Sequence, residues 1–401
     1  MHHSEQRHRA HELLQQQGIQ RALFTNISSV KWLTGFAPPI QLGPNYFAGG
    51  PPLVWYEAGH YTVVVQNGQV NSIAQLAAAE DCDVVTYPGY TIEQPIRGGD
   101  RLREVIEPLF RKSRGVGVIG IEEQDTSLLL QQLLDHALIN RAPLTPIDGW
   151  LVPLRAVKTP EEIQKLRDNF SLTDIGHAAA RQAVAVGKRE IDIWTEIHTA
   201  IQQAAGQRVP LGNDCIVGYR EPNNIGAWPE ALELHPHDNL IVDLSTVLHG
   251  YWSDSCATYY AGEPTARQRK LHKTCEGALA FATSLIKPGA VANVVDQQVR
   301  HFMRDAGYTV YPHHTGHGVG VTGHEEPRIV PYNEMVIEEY GDHARARAYF
   351  LVNSETARGC HVGYRRWCGG ADQARQEPAV SRLRSSRSAF PNDYTDSTQT
   401  Q

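Results

Sequence analysis

Along the first 148 residues the apolar positions follow two alternating periods. A helical stretch at Glu5–Gln17 gives way to short apolar runs at Ala22–Thr25, Leu53–Tyr56 and Tyr61–Gln66, and helical spacing returns at Arg101–Arg111 and Ser127–Ala137. Short runs rich in β-branched and aromatic residues, set between helical segments, form the strands of α/β domains. The pattern predicts such a domain over residues 1–150.

A proline-spaced segment, APLTPIDGWLVPLR, then leads into KTPEEIQKLRDNFSLTDIGHAAARQAV. Thr159 is placed to cap a helix there, Pro160 takes its first position, and Glu162 completes a capping box, which sets the domain boundary near residue 150. After a further helix at Ile191–Ala205 the pattern changes to strands: Asn239–Val247 and Tyr251–Tyr260 read as a hairpin turning at Leu248–Gly250. Thr265–Leu285 and Val291–Ala306 read as amphipathic helices, and no internal repeat stands out.

A chain of 401 residues suits two domains, each large enough to bury its own core. With 41% hydrophobic and 20% charged residues it has the composition of an ordinary globular protein, and a net charge of −7 without a basic stripe argues against a nucleic-acid partner. The first residues lack the apolar core of a signal peptide and no later run is long enough to span a bilayer, so no membrane role and a cytoplasmic location are expected. Six scattered cysteines without a C-x-x-C pair point to reduced thiols rather than a structural zinc.

The segment IVDLSTVLHGYWSDSCATYY carries the first chemistry. A turn centred between Leu248 and His249 would set Asp243 directly opposite Asp254, and like charges about 5 Å apart repel unless a cation lies between them. The alternative is a pair of solvated aspartates flanking the turn, or a bulge that sends them to opposite faces. Apolar flanks at Leu240–Val242 and Tyr259–Tyr260 favour a buried hairpin, where unpaired carboxylates are unfavourable by several kcal/mol. The second segment is YPHHTGHGVGVTGHEEPRI, in which Gly316, Gly318 and Gly320 flank His317 and clear space for a close approach to a ligand or metal. A lone histidine in such a run is more often structural, but His313, His314 and His324 stand nearby.

Taken in order, R-x-x-K-x-x-x-E-I at Arg155–Ile163, D-x(10)-D ending in G-Y-x-S-D, T-G-H-G-V-G and H-E-E-P resemble the catalytic domain shared by methionine aminopeptidase, prolidase, aminopeptidase P and creatinase. The resemblance covers roughly Leu154–Glu339. It implies a creatinase-like α/β N-terminal domain at 1–150 and an α+β pita-bread catalytic domain at 151–339. It also implies a site with two divalent ions (manganese, cobalt or zinc), held by Asp243 and Asp254, with Asp254 bridging and His317 binding one ion. His324 would contact the substrate, and His313 would sit where a second active-site histidine is common. The implied reaction is hydrolysis of the peptide bond between an N-terminal residue and proline, on a peptide or dipeptide, by a homodimer. Two departures bear on substrate range: Ile225-Gly226 where relatives carry His-Gly, and Cys256-Ala257-Thr258 where they carry T-R-T.

The same resemblance calls for two further glutamate ligands, one in an E-P-G strand and one in an R-x-E-D strand, and neither motif follows. Residues 340–401 contain no lysine or isoleucine and have nine arginines against six acidic residues. Reading possible codons for Tyr340–Arg347 one nucleotide later permits Met-Gly-Ile-Thr-Leu-Glu-Pro-Gly, which restores the E-P-G. The same shift from Arg358 to Gln373 permits Glu-Asp-Val-Met-Leu-Val-Thr-Asp-Asp-Gly-Ala-Glu-Val-Leu-Thr-Arg. Residues 340–401 are therefore expected to be an out-of-frame tail, with the final strands of the catalytic sheet missing and metal binding weakened. A serine- and arginine-rich disordered tail is the alternative. Two other functional readings stay open: a metal-free, creatinase-like C–N hydrolase, and a descendant that keeps the fold for association without catalysis.

Overall fold

The computed structural model describes residues 3–37, 50–69, 76, 79–89, 92–93, 97–137, 142–218, 228–308 and 313–338. The tail at 340–401, together with Ile225 and Gly226, lies outside the described residues.

The first domain runs α1 (Ser4–Gln16), β1 (Arg21–Phe24), α2 (Ile27–Thr34), β2 (Leu53–Glu57), β3 (His60–Gln66), β4 (Cys82–Tyr87), α3 (Gly98–Lys112), β5 (Ile119–Ile121), α4 (Leu128–Ala137) and β6 (Leu144–Pro146). Its sheet has the order β4-β3-β2-β1-β5-β6, with β1 antiparallel to β2 and parallel to β5. Successive strand residues point to opposite faces, and here both faces are covered. Ala22, Phe24, Val54 and Tyr56 join Ala10 and Leu14 of α1, whereas Leu23, Leu53 and Trp55 join Ile106 and Phe110 of α3 and Leu130 and Leu134 of α4. That is why all four residues of β1 are buried and why the strand reads as a continuous apolar run.

The second part begins with α5 (Val152–Ala156), α6 (Pro160–Ala183) and α7 (Glu190–Ala205). The expected capping box forms: the Thr159 amide donates to Glu162 Oε2 at 2.9 Å, and the Glu162 amide donates to Thr159 Oγ1 at 3.3 Å. The strands β7 (Leu211–Val217), β8 (Asn239–Leu248), β9 (Tyr251–Trp252) and β10 (Ser255–Tyr260) build an antiparallel sheet ordered β10-β8-β7, with β9 continuing the pairing along β8. Then come α8 (Ala266–Leu285), α9 (Ala292–Asp305) and a separate pair, β11 (Gly316–Gly318) with β12 (Glu325–Ile329). Among the described residues no helix is long and apolar enough to cross a membrane.

One apolar cluster crosses between the two parts. Trp32, Leu33 and Phe36 of the first pack with Leu151, Leu166, Tyr251, Val319 and Val321 of the second. Polar contacts reinforce it: Arg9 donates to the carbonyls of Leu154 and Val157, and both the Trp32 indole and the Tyr251 hydroxyl donate to Glu162 Oε1 at 3.1 Å. The first domain thus braces the tip of the aspartate hairpin and the loop that follows His317.

Candidate metal centre

The hairpin turns on His249 and Gly250, with φ of 54° and 79°. Two left-handed residues in a row make the type I′ geometry that matches strand twist, and the register follows from it: Leu248 pairs with Tyr251, Leu244 with Ser255, and Asp243 with Cys256. The turn centre is one residue later than the spacing suggested, so Asp243 and Asp254 are not directly opposed. The shift moves each pairing by two residues and therefore preserves the face. Asp254 lies one diagonal step from Asp243 on the same side of the sheet, where such neighbours are roughly 7–8 Å apart at Cα.

Buried hydroxyls and amides fix this hairpin from behind. The Asn169 side-chain amide, fully buried on α6, donates to the Tyr251 carbonyl, and Thr246 Oγ1 donates to Asn169 Oδ1, both at 2.5 Å. Ser253 Oγ takes the place of a ladder carbonyl by accepting from the Thr246 amide at 3.0 Å, and His177 Nε2 is 3.0 Å from Ser255 Oγ. These contacts leave Asp254 buried and aimed at the facing loop.

That loop presents His317. Burial pushes its imidazole down from the ordinary histidine range, against the opposing pulls of the hydrogen bond to Gly318 and the charge of Asp243. A carbonyl can only accept, so Nδ1, 2.8 Å from the Gly318 oxygen, carries the proton of the neutral ring. Nε2 is then a bare lone pair, 3.4 Å from Asp254 Oδ2. At this distance the two groups can share a proton or a cation. Donors about 2.1 Å from one tetrahedral ion are themselves roughly 3.4 Å apart, so the pair fits a divalent metal.

The other histidines line up beside it. Ring centroids are 3.8 Å apart for His313 and His314, 4.8 Å for His314 and His317, and 4.2 Å for His317 and His324. Burial and the three neighbouring imidazoles push His314 down to about 2. His313 is held through its backbone, whose carbonyl accepts from Arg300, while Arg300 and Thr315 both donate to the buried Asp296. His324 is exposed at the mouth.

Two supports were not read from the sequence in this role. Arg155 and Lys158 of the R-x-x-K run reach the buried Glu325 that follows His324, at 3.6 and 3.1 Å. The signal was present in two motifs that seemed unrelated because 167 residues separate Lys158 from Glu325. The glycines also serve the protein rather than a ligand: a Cβ on Gly318 would meet the Glu326 carbonyl at 2.5 Å, and one on Gly320 would strike the Glu325 carboxylate.

Comparison with known proteins identifies two domains. Residues 164–341 match the model of metallopeptidase family M24, and residues 6–157 match the creatinase/prolidase N-terminal domain. Residues 164–341 are an M24 metallopeptidase domain. Among M24 relatives, the Xaa-Pro dipeptidase of Lactobacillus helveticus is 30% identical over 220 residues, which is 55% of this chain and 60% of that protein. The Xaa-Pro dipeptidase of Lactobacillus delbrueckii subsp. lactis is 24% identical over 81% of this chain and 84% of its own length. The prolidase from Pyrococcus furiosus has the same fold, with a TM-score of 0.66, 22% identity and coverage of 82% of this chain and 88% of that one. So does the N-terminal domain of FACT complex subunit SPT16 from chickpea, with a TM-score of 0.60, 13% identity and coverage of 84% and 85%.

Proposed function

We propose that the chain is a metal-dependent Xaa-Pro dipeptidase whose metal-binding residues in the described part are Asp243, Asp254 and His317. The observation that carries this reading is the bare Nε2 of His317 facing the Asp254 carboxylate at 3.4 Å, with Asp243 on the same sheet face. A fold shared with an SPT16 domain cannot carry it, because function resides in the site. A divalent cation held by these groups would polarise the scissile carbonyl and acidify a water. The residues do the rest. The Gly318 carbonyl fixes the His317 tautomer, and the diagonal aspartates supply the negative charge that holds cations. We assign His324, exposed beside His317, to contact with the substrate, and His313, whose ring packs on His314, to a second active-site histidine. The relatives named Xaa-Pro dipeptidase support a dipeptide substrate. Our reading further takes the enzyme as a cytoplasmic homodimer and places the domain boundary near residue 150.

The same reading takes residues 340–401 as out of frame, so that two glutamate donors are missing and binding is weak. The M24 match ends at residue 341, which supports this. Hydrolysis of Ala-Pro by the purified chain with manganese tests the site. The expected activity is low, abolished by chelator, and reduced at least about tenfold by Asp254→Asn. Cleavage that ignores both chelator and Asp254→Asn would overturn the reading.

A further inference from the structure

Trp252 on β9 is the one large apolar side chain that the aspartate hairpin leaves partly open, while its neighbours Tyr251, Ser253 and Asp254 are buried. The pairing fixes which side of the sheet it takes. Val247 pairs with Trp252 and Leu244 with Ser255, so the register runs unbroken from β9 into β10 and sets Ser245 opposite Asp254. Alternate residues share a face, which puts Trp252 on the side of Asp254, Ser245 and Asp243. The opposite side carries the core against α6 and α7, built on Val217, Leu240, Val242 and Leu244. Contacts of the indole agree with this parity. A Cβ on Gly212, the β7 partner of Ser245, would meet Trp252 Cζ3 at 3.8 Å and Ser245 Cβ at 3.9 Å. One on Gly323 would meet Trp252 Cε3 at 3.4 Å and Cδ2 at 3.7 Å. The six-membered ring therefore reaches from the carboxylate-bearing face of β7 to the residue before His324.

We propose that Trp252 determines specificity at this site, its indole forming the wall on which the proline ring of an Xaa-Pro substrate lies; this rests on the peptidase reading above. Ligand sites combine apolar, aromatic walls with a few fixed polar groups, and here the aspartates and His317 are the polar part. An indole face is electron-rich. The C–H bonds of a proline ring are polarised by the adjacent amide nitrogen and complement it. The ring is also the part of an Xaa-Pro substrate that stays constant while the first residue varies, so a rigid wall is best matched to it. A glycine in the second position would leave the indole uncovered.

Cleavage of Ala-Pro and Ala-Gly with manganese, by the full chain and by Trp252→Leu and Trp252→Phe, tests this. Leucine keeps apolar bulk but removes the aromatic face. Trp252→Leu should lower kcat/KM on Ala-Pro about tenfold more than on Ala-Gly, mainly through KM, and Trp252→Phe should restore most of the preference. A preference unchanged in Trp252→Leu would overturn the proposal and leave the peptidase reading intact. So would an equal loss on both dipeptides, carried by kcat, which marks a purely structural residue. Saturation transfer by NMR from the chelator-treated chain to Ala-Pro reads the contact without catalysis. The pyrrolidine protons should receive more saturation than the alanine methyl, and the excess should vanish in Trp252→Leu. Stronger saturation of the methyl, or none on the ring, would overturn the proposal. If neither dipeptide is cleaved, the peptidase reading falls, while ring saturation lost in Trp252→Leu would still establish the contact.

Discussion

Residue by residue, the site depends on groups that have no role in chemistry. Glu325 is buried between Arg155 and Lys158, and Lys158 is itself almost fully enclosed. A buried carboxylate that loses one of its cations is left undercompensated, at a cost of about 3–5 kcal/mol. Lys158→Met should accordingly lower unfolding stability by about 3 kcal/mol in urea titration, and change below about 1 kcal/mol would show that Arg155 alone suffices. The sequence displayed Asp243, Asp254, His317 and His324 because each sits in a short local motif. It could not display the ion pair, since nothing local links Lys158 to a carboxylate 167 positions away. His314 was equally visible as a letter, but its direction into the cluster depends on Arg300 and Thr315 anchoring the segment to Asp296.

At the level of elements, capping chemistry and periodicity were enough for the helices. Thr159 caps as its sequence indicates, the structure adds a second capping box at Thr265, and α8 and α9 fall within a residue or so of the apolar pattern. Strands with weak signals were harder: β4 and β7 carry polar residues, and β11 is a three-residue Gly-His-Gly strand. The hairpin shows what spacing can and cannot give. Its parity, and so the shared face of the two aspartates, follows from counting along the chain. Its register depended on which residues accept positive φ, and that choice fell on His249 and Gly250. The close approach of β11 and β12 gives a further test. A methyl group on Gly318 points at the backbone carbonyl of Glu326, which cannot rotate away. Gly318→Ala should destabilise the protein by about 1–3 kcal/mol and weaken metal binding through the displaced His317, as measured by thermal unfolding with and without zinc. A stable variant with normal affinity would mean that the two strands separate without disturbing the site.

Across the whole molecule, the first domain and the catalytic part meet over a continuous core that ends at the hairpin tip and the loop after His317. That core supports the hairpin and the His317 loop, while the donor charge they carry falls short. Asp243, Asp254 and His317 together bring two negative charges, fewer than two divalent ions require, and two-metal hydrolases hold their ions roughly 3.5–4 Å apart by bridging carboxylates. Shifting the reading frame near the codon for Glu339 would supply two more glutamates. The most direct measurement is the manganese-dependent rate of Ala-Pro cleavage by the chain as it stands and by the frame-shifted version, side by side and with chelator. The account predicts strong, chelator-sensitive cleavage only in the shifted version; equal chelator-sensitive rates in both would contradict it.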